Sequence, residues 1–170
     1  WHATLKAPFK LAPGQTLQSV RSAIQRLCQG RQPFELAPLR VSPLGQFLAL
    51  RPTHAQAELD LLAADCVRQL QPLARTLSDD ELAKRRQANL TPAQDRLLQD
   101  WGYPFVFDQY RFHFSLSGNV QGVDPEALAS IRDAASQRFH GLGPCLVDRV
   151  SLFIEPAPGA PFRLLDQIGF

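Results

Sequence analysis

Two short motifs in this chain of 170 residues carry side chains that could do acid-base chemistry. His2 is followed two positions later by Thr4, and His113 is followed two positions later by Ser115. Side chains at positions i and i+2 of a β-strand point to the same face, so each motif would present an imidazole beside a hydroxyl. We therefore interpret these four residues as candidate catalytic and phosphate-binding groups that face one cleft.

Paired imidazoles suit the hydrolysis of a phosphodiester. One neutral histidine can accept a proton from water while the other, as imidazolium, protonates the leaving oxygen. The hydroxyls of Thr4 and Ser115 would donate hydrogen bonds to the phosphate oxygens. Lys6 and Arg111, which strand alternation puts on the same faces, would add positive charge there. This scheme needs no metal ion and no other cofactor, and it leaves open which histidine is the acid.

The strands that must carry these motifs belong to two similar units at the two ends of the chain. Each unit reads as strand, helix, strand, turn and strand, and the interval from His2 to Pro33 equals that from His113 to Pro144. We therefore predict an α+β, bilobal fold of duplicated units whose antiparallel sheets line a central cleft. The two lobes are predicted to cover residues 1–52 and 104–170.

Apolar periodicity, helix caps and turn residues predict the elements within each unit. The predicted strands are residues 2–11, 34–41, 47–50, 111–116, 145–154 and 162–168, and the predicted helices are residues 17–27 and 125–139. Between the units, residues 53–103 read as a helical insert with starts near Ala57, Ser78 and Thr91. The insert would either pack one lobe against the other or form a lid over the cleft.

Longer stretches of the chain resemble known proteins. The motifs HATL at 2–5 and HFSL at 113–116 resemble the signature of the 2H phosphoesterase superfamily, which includes RNA 2′-5′ ligase-like proteins and cyclic phosphodiesterases. The strings HATLKAPFKL, WGYPFVFDQYRFHFSLSG and FIEPAPGAPFRLL resemble a narrower branch connected with phosphonate metabolism, domain-of-unknown-function family 1045. The resemblance implies that His2 and His113 are the catalytic pair and that Thr4 and Ser115 bind phosphate. Members of the family carry strand material before the first motif that is absent here.

Further polar residues have both a structural and a functional interpretation. Arg85 lies in a basic triplet that is typical of a solvated helix face, and the alternative is contact with a phosphate. Tyr103, close to Trp101, would either pack at the exit of the insert or stack on a base. We keep Arg85 and Tyr103 as candidate substrate contacts. His54 and His140 are interpreted as structural because they lie at helix ends, and no histidine spacing indicates a metal site.

Composition and charge narrow the classes of partner. The net charge of +2 is too small to favour an extended nucleic acid or an RNA-ligating groove. No apolar run approaches the roughly 18 residues that a membrane span needs. The three cysteines form no Cys-x-x-Cys pair and predict free thiols in a reducing cytoplasm. The chain has no methionine and opens one residue before His2, so we expect upstream residues in the native protein.

These observations predict a cytoplasmic, metal-independent phosphoesterase that hydrolyses a small cyclic phosphodiester of a sugar or nucleotide. The resemblance connects this activity with phosphonate metabolism. The alternative is a non-catalytic module that binds a nucleotide or an RNA end and releases it unchanged. The exact substrate, the direction of proton transfer and the oligomeric state stay open at this level.

Overall fold

A computed structural model describes residues 2–170, which form a mixed α+β fold with five α-helices and antiparallel sheets. The helices lie where caps and apolar periodicity predict them, because both signals are local in sequence. The helices are α1 (Leu17–Cys28), α2 (Ala57–Leu70), α3 (Asp79–Arg86), α4 (Pro92–Trp101) and α5 (Pro125–Phe139).

Reciprocal caps explain several of these helix starts. Thr16, Ser78 and Thr91 each form a capping box, in which the N-cap hydroxyl accepts from the N3 amide and the N3 side chain accepts from the N-cap amide. Asp124 caps α5 by accepting from two amides of its first turn. At the other end of α4, Gly102 adopts the left-handed conformation that favours glycine (φ 71°).

The strands within residues 2–170 pair antiparallel in three separate sheets. One sheet joins β1 to β5, a second has the order β2-β3-β4, and the third joins β6 to β7. The strands are β1 (Phe34–Leu36), β2 (Leu39–Leu44), β3 (Phe47–Pro52), β4 (Phe114–Ser115), β5 (Cys145–Val147), β6 (Arg149–Ile154) and β7 (Arg163–Gly169).

The pairing crosses the boundary between the two predicted units. Strand β1 of the first unit pairs with β5 of the second, and β3 pairs with β4. Helix α1 packs against β6 and β7, whereas α5 packs against β2. Each half of the chain therefore completes the sheets of the other, and two self-contained duplicated lobes are not confirmed.

The predicted first strand is wrong for most of its length. Residues 2–10 contain no strand, a bend lies at Leu5 and Lys6, and only Leu11 forms an isolated bridge, with Ala74. Pro8 lacks the amide proton that a continuous ladder needs. The second motif strand, predicted over 111–116, is reduced to the two residues of β4. Alternation along a regular strand therefore does not position the side chains of either motif.

The buried core lies between α1, α2 and the C-terminal hairpin. Val150 of β6 joins apolar residues of both helices in one cluster, and Leu62 of α2 is fully buried. Helix α2 therefore belongs to the core, although it lies in the predicted insert. As predicted, Cys28, Cys66 and Cys145 are free thiols, and burial raises the pKa of each. Within residues 2–170, no helix has the length and apolar character to cross a membrane.

Candidate active site

One cavity brings together the residues of the two His-x-Ser/Thr motifs. His2, Thr4, His113 and Ser115, together with Phe114, line a cavity of about 210 Å³, called here the histidine cavity. Residues 2–4 reach it as irregular chain, whereas Ser115 belongs to β4 and is held by the pairing of that strand with β3. Tertiary structure thus brings together two motifs that begin 111 positions apart in the sequence.

The orientation of His113 is set by a short hydrogen bond and a ring contact. Its Nδ1 lies 2.7 Å from the carbonyl oxygen of Arg111, and its ring centroid lies 5.4 Å from that of Phe47. A carbonyl oxygen only accepts, so Nδ1 carries the proton of this bond. In the neutral ring, Nε2 therefore keeps its lone pair and is the nitrogen free to exchange a proton with a ligand.

The imidazole of His2 is supported in a comparable way. It is exposed, and its ring centroid lies 5.2 Å from that of Phe153 on β6. Each histidine therefore contacts a phenylalanine from a neighbouring strand, Phe47 or Phe153. Sequence patterns did not single out these two phenylalanines, because an aromatic residue in a strand looks the same whether it faces the core or a cavity.

The hydroxyls of the two motifs have no hydrogen-bond partner within residues 2–170. Among the described residues, neither the Thr4 nor the Ser115 side chain makes a hydrogen bond, and both residues are exposed. The nearby Ser117 differs, since its hydroxyl accepts from the Leu48 amide and donates to the Gly118 carbonyl. Thr4 and Ser115 thus keep their donors available for a ligand, whereas Ser117 is structural.

A half-buried tyrosine, Tyr110, connects the first motif to the segment that precedes the second. The Tyr110 hydroxyl donates to the Thr4 carbonyl oxygen at 3.1 Å. Burial raises the pKa of Tyr110, so the phenol stays protonated and remains a donor at physiological pH. This bond positions residues 2–4, which lack a strand ladder of their own.

Removing that hydroxyl is expected to loosen the first motif. Tyr110→Phe should lower the free energy of unfolding by about 0.5–1.5 kcal/mol, the usual net contribution of one hydrogen bond. Urea unfolding and hydrogen exchange at residues 3–6 measure the effect. Tyr103→Phe is the control, because within residues 2–170 the Tyr103 hydroxyl has no hydrogen-bond partner. Equal exchange at residues 3–6 in wild type and Tyr110→Phe would contradict the positioning role.

Lys6 does not join Thr4 in the histidine cavity. The bend at Leu5 and Lys6 turns its side chain into a second cavity of about 30 Å³, where its ammonium donates to Gln71 at 2.9 Å. The expectation that Lys6 shares a face with Thr4 was wrong, because it assumed a straight strand. Burial lowers the pKa of Lys6 to about 8.

The second cavity also contains the other two candidate contacts. Arg85 and Tyr103 both line it, and the Arg85 guanidinium carbon lies 5.7 Å from the Tyr103 ring centroid. Burial raises the pKa of Tyr103, so its hydroxyl is a neutral donor. Arg75 and Trp101 complete the polar lining, which includes no aspartate or glutamate.

Arg111 lies outside both cavities. Its Nη1 donates to the carbonyl oxygens of Asp108 and Tyr110 at 2.7 and 2.6 Å, and its own carbonyl accepts the bond from His113. Direct phosphate binding by Arg111 stays a prediction. Its backbone has a role that sequence reasoning missed, namely fixing the ring of His113.

Glu81 accepts hydrogen bonds from three groups, of which the Arg75 guanidinium belongs to a residue that lines the second cavity. The Ser78 amide, the Lys10 ammonium and the Arg75 guanidinium all donate to its carboxylate, and they lower its pKa to about 2. A lowered carboxylate pKa contributes stability above the unfolded value of about 4.3, and that stability is lost as the pH falls towards 2.

The thermal stability of Glu81→Gln is therefore expected to depend on pH. The variant should melt below the wild type at pH 7, and the two melting temperatures should converge as the pH approaches 2. Asp80→Asn is the matched control, since Asp80 is an exposed acid in the same helical turn with no ion pair among the described residues. A difference between wild type and Glu81→Gln that is constant from pH 7 to 2 would contradict the assignment.

The remaining histidines and the acids give no metal site in the described part of the chain. His54 and His140 are exposed and line neither cavity. Across residues 2–170, no group of three or more histidine, cysteine, aspartate or glutamate side chains converges to hold a metal ion.

Comparison with known proteins adds a family and two relatives. A family model described as "Protein of unknown function (DUF1045)" matches residues 4–163. Two curated proteins named "Ribose 1,5-bisphosphate phosphokinase PhnN" are similar to the chain. The one from Janthinobacterium sp. (strain Marseille) is 38% identical over 173 residues, which cover 100% of this chain and 38% of the relative. The one from Laribacter hongkongensis (strain HLHK9) is 36% identical over 165 residues, which cover 96% and 37% respectively.

The chain therefore spans less than two fifths of the length of these relatives. No solved structure matches it.

Proposed function

This chain belongs to the DUF1045 family, and from its histidine cavity we propose that it is a phosphoesterase of the 2H type that hydrolyses a cyclic phosphodiester of a sugar or nucleotide. The observation that carries the proposal is the meeting of His2, Thr4, His113 and Ser115 around one cavity. A duplicated two-lobed origin remains part of the proposal, supported by the equal spacing of the two motifs from Pro33 and Pro144.

The proposed reaction is one balanced hydrolysis. A water oxygen attacks phosphorus while one neutral imidazole accepts the water proton. One ester P–O bond of the ring breaks, and the other histidine, as imidazolium, protonates the departing oxygen. The products are a phosphomonoester and a free hydroxyl, and a proton transfer between the histidines restores the starting state.

The chemistry of the lining side chains supports each part of this step. The hydrogen bond from Nδ1 of His113 to a carbonyl leaves Nε2 as the nitrogen that acts, whether as base or as acid. The unpartnered hydroxyls of Thr4 and Ser115 are donors for the two non-bridging oxygens, where negative charge develops in the transition state. Donors at these positions lower the barrier because they stabilise that developing charge.

The names of the relatives suggest ribose as the sugar. Their printed substrate, ribose 1,5-bisphosphate, carries two phosphomonoesters. Hydrolysis of a cyclic phosphate that bridges oxygens 1 and 2 of ribose 5-phosphate, with cleavage at oxygen 2, would yield that compound. We therefore place cyclic phosphates of phosphorylated ribose first among candidate substrates, and we connect the activity with phosphonate metabolism on the family resemblance.

The phosphokinase activity in those names is not assigned to this chain. A P-loop kinase binds nucleotide phosphates with Gly-x-x-x-x-Gly-Lys-Ser/Thr, whose lysine follows a glycine. The three lysines here, Lys6, Lys10 and Lys84, follow leucine, phenylalanine and alanine. The match to the relatives leaves more than half of their length for other activities.

A panel of cyclic phosphates tests the proposal. The purified protein is incubated with ribose 1,2-cyclic phosphate, its 5-phosphate derivative and 2′,3′-cyclic nucleotides, and products are identified by phosphorus NMR. We expect ring opening to a phosphomonoester for at least one member. Ligands that bind by calorimetry and are recovered unchanged would support the binding module instead, and a panel that is neither bound nor cleaved would contradict both.

A further inference from the structure

We propose that the second cavity binds a phosphomonoester of the substrate, separate from the phosphodiester that the two histidines attack. The inference rests on the proposed function, and it specifies the substrate class as a cyclic phosphodiester that also carries a terminal phosphate. The lining of the cavity includes Lys6, Arg75 and Arg85 and the aromatic side chains of Trp101 and Tyr103, beside several apolar residues.

The charge of the lining suits a dianion. Three cations and no carboxylate line the cavity. Arg75 is paired with Glu81, which is not one of the lining residues. Neither Lys6 nor Arg85 has a carboxylate within ion-pair distance among residues 2–170. Holding partly buried cations without a counter-ion is unfavourable, and a phosphate that supplies the missing charge would remove that cost.

The donors and the size of the cavity also fit a phosphoryl group. The ammonium of Lys6 uses one donor on Gln71 and keeps two, and the Arg85 guanidinium stacks on Tyr103 with its N–H groups free of protein acceptors in the described residues. A single water needs roughly 10–15 Å³ on the same scale. The second cavity, at about 30 Å³, therefore admits a small group, whereas the histidine cavity at about 210 Å³ has room for a ring.

Thr4 lines the histidine cavity and Lys6 lines the second cavity, so a short segment of backbone connects the two. Lys6 follows Thr4 by two positions, and two residues of extended chain span at most about 7 Å. The Tyr110 hydroxyl holds the Thr4 backbone, so the segment between the cavities is fixed at its histidine end. In the proposal, a pentose with phosphate groups at opposite ends lies along this segment and places one group in each cavity.

The protonation of Lys6 is consistent with this role. Burial lowers its pKa to about 8, so the ammonium is still mostly charged at neutral pH, and a bound phosphate would raise that pKa again. The other titratable groups around it are Arg75, Arg85, Tyr103 and Cys66, and burial raises the pKa of both the phenol and the thiol. Lys6 is thus the group in this set that loses charge just above neutral pH.

A matched pair of ligands tests the proposal directly. Ribose 1,2-cyclic phosphate and its 5-phosphate derivative differ only in the terminal phosphate. We expect the wild type to prefer the 5-phosphate derivative by about 10- to 100-fold, the usual range for charge-assisted hydrogen bonds to one group. The preference is the ratio of kcat/KM where turnover occurs and the ratio of Kd from calorimetry where it does not.

Two variants of residues that line the second cavity, and one control, test whether this cavity produces the preference. Lys6→Met and Arg85→Gln should each reduce the preference at least 5-fold, while Lys84→Gln should keep the wild-type ratio. Lys84 is the exposed neighbour of Arg85 on α3, so the control removes the same charge from the same helix. Two independent variants keep the test valid if one folds poorly, which thermal melting will show.

The pH dependence of the preference for the 5-phosphate derivative gives a second test. The preference of the wild type should decline above pH 8, and Lys6→Met should remove this decline. Because both ligands react at the same two histidines, the contribution of the histidine chemistry cancels in the ratio.

The alternative outcomes separate this inference from the proposed function. Equal kcat/KM for the two ligands in the wild type overturns the second phosphate site and leaves the phosphoesterase intact. If both Lys6→Met and Arg85→Gln still prefer the 5-phosphate derivative as strongly as the wild type, the terminal phosphate does not bind in the second cavity. If inorganic phosphate binds in a Lys6-dependent manner while the two ligands bind equally, the cavity holds a free anion and the inference is wrong. If both ligands bind without turnover, the proposed phosphoesterase activity is refuted. The ratio of their Kd values still tests whether the second cavity binds the terminal phosphate.

Discussion

Replacing either histidine of the cavity by alanine is expected to lower kcat for the cyclic phosphodiester by about 10²–10⁴-fold, the usual contribution of a general acid or base. His113→Ala removes the Nε2 that the bond from Nδ1 to the Arg111 carbonyl leaves free. His2→Ala removes the opposite imidazole, which lies against Phe153. Both side chains contact the cavity without belonging to the buried core, so the loss should fall on kcat more than on stability.

The pH profile gives the second part of this expected result. The wild type should show a bell-shaped dependence of kcat on pH, because one histidine must be neutral while the other is charged. Each alanine variant should lose one limb of the bell. His54→Ala and His140→Ala are matched controls, since both histidines are exposed and line neither cavity. Undiminished turnover in both His2→Ala and His113→Ala would exclude the two-histidine mechanism.

Removal of the cavity hydroxyls is expected to have the next largest effect. Thr4→Val and Ser115→Ala should each reduce kcat about 10²-fold, which is the lower end of the loss measured for removal of one oriented donor from an oxyanion site. The physical reason is that these hydroxyls have no protein partner in the described residues, so their hydrogen bonds are available to the phosphate oxygens. The unfolding free energy should change little, because no intramolecular bond is lost.

Two comparisons make this prediction specific. Thr53→Val removes an exposed hydroxyl from a loop outside both cavities and should leave kcat unchanged. Ser117→Ala should lower the stability and change kcat little, the reverse of Ser115→Ala. The reason is that the Ser117 hydroxyl accepts from the Leu48 amide and donates to the Gly118 carbonyl. A Ser115→Ala variant with wild-type kcat and reduced stability would show that this hydroxyl is structural.

Local signals in the sequence were sufficient for the helices and for the choice of the two histidine motifs as candidates. Ser78 and Thr91 predicted two helix starts in the insert, because a cap acts on amides within three residues of it. The two His-x-Ser/Thr motifs predicted a shared cavity because their side chains have complementary chemistry. Neither inference needed information about which distant segments are in contact.

The strands could not be predicted equally well. The ladder of a strand depends on a partner that is far away in sequence, and here β1 pairs with β5 and β3 with β4 across the two predicted units. Residues 2–10, which include the first motif, form no strand, and the chain bends at Leu5 and Lys6.

The sequence alone therefore determined which chemical groups the chain offers and where its helices begin, because both depend on neighbouring residues. Tertiary structure alone decided how those groups are divided. It joins His2 and Thr4 with His113 and Ser115 in one cavity, and it turns Lys6 into a second cavity with Arg85 and Tyr103. The physical reason is that a one-residue change in backbone direction redirects a side chain completely, and that direction is set by contacts between segments distant in sequence.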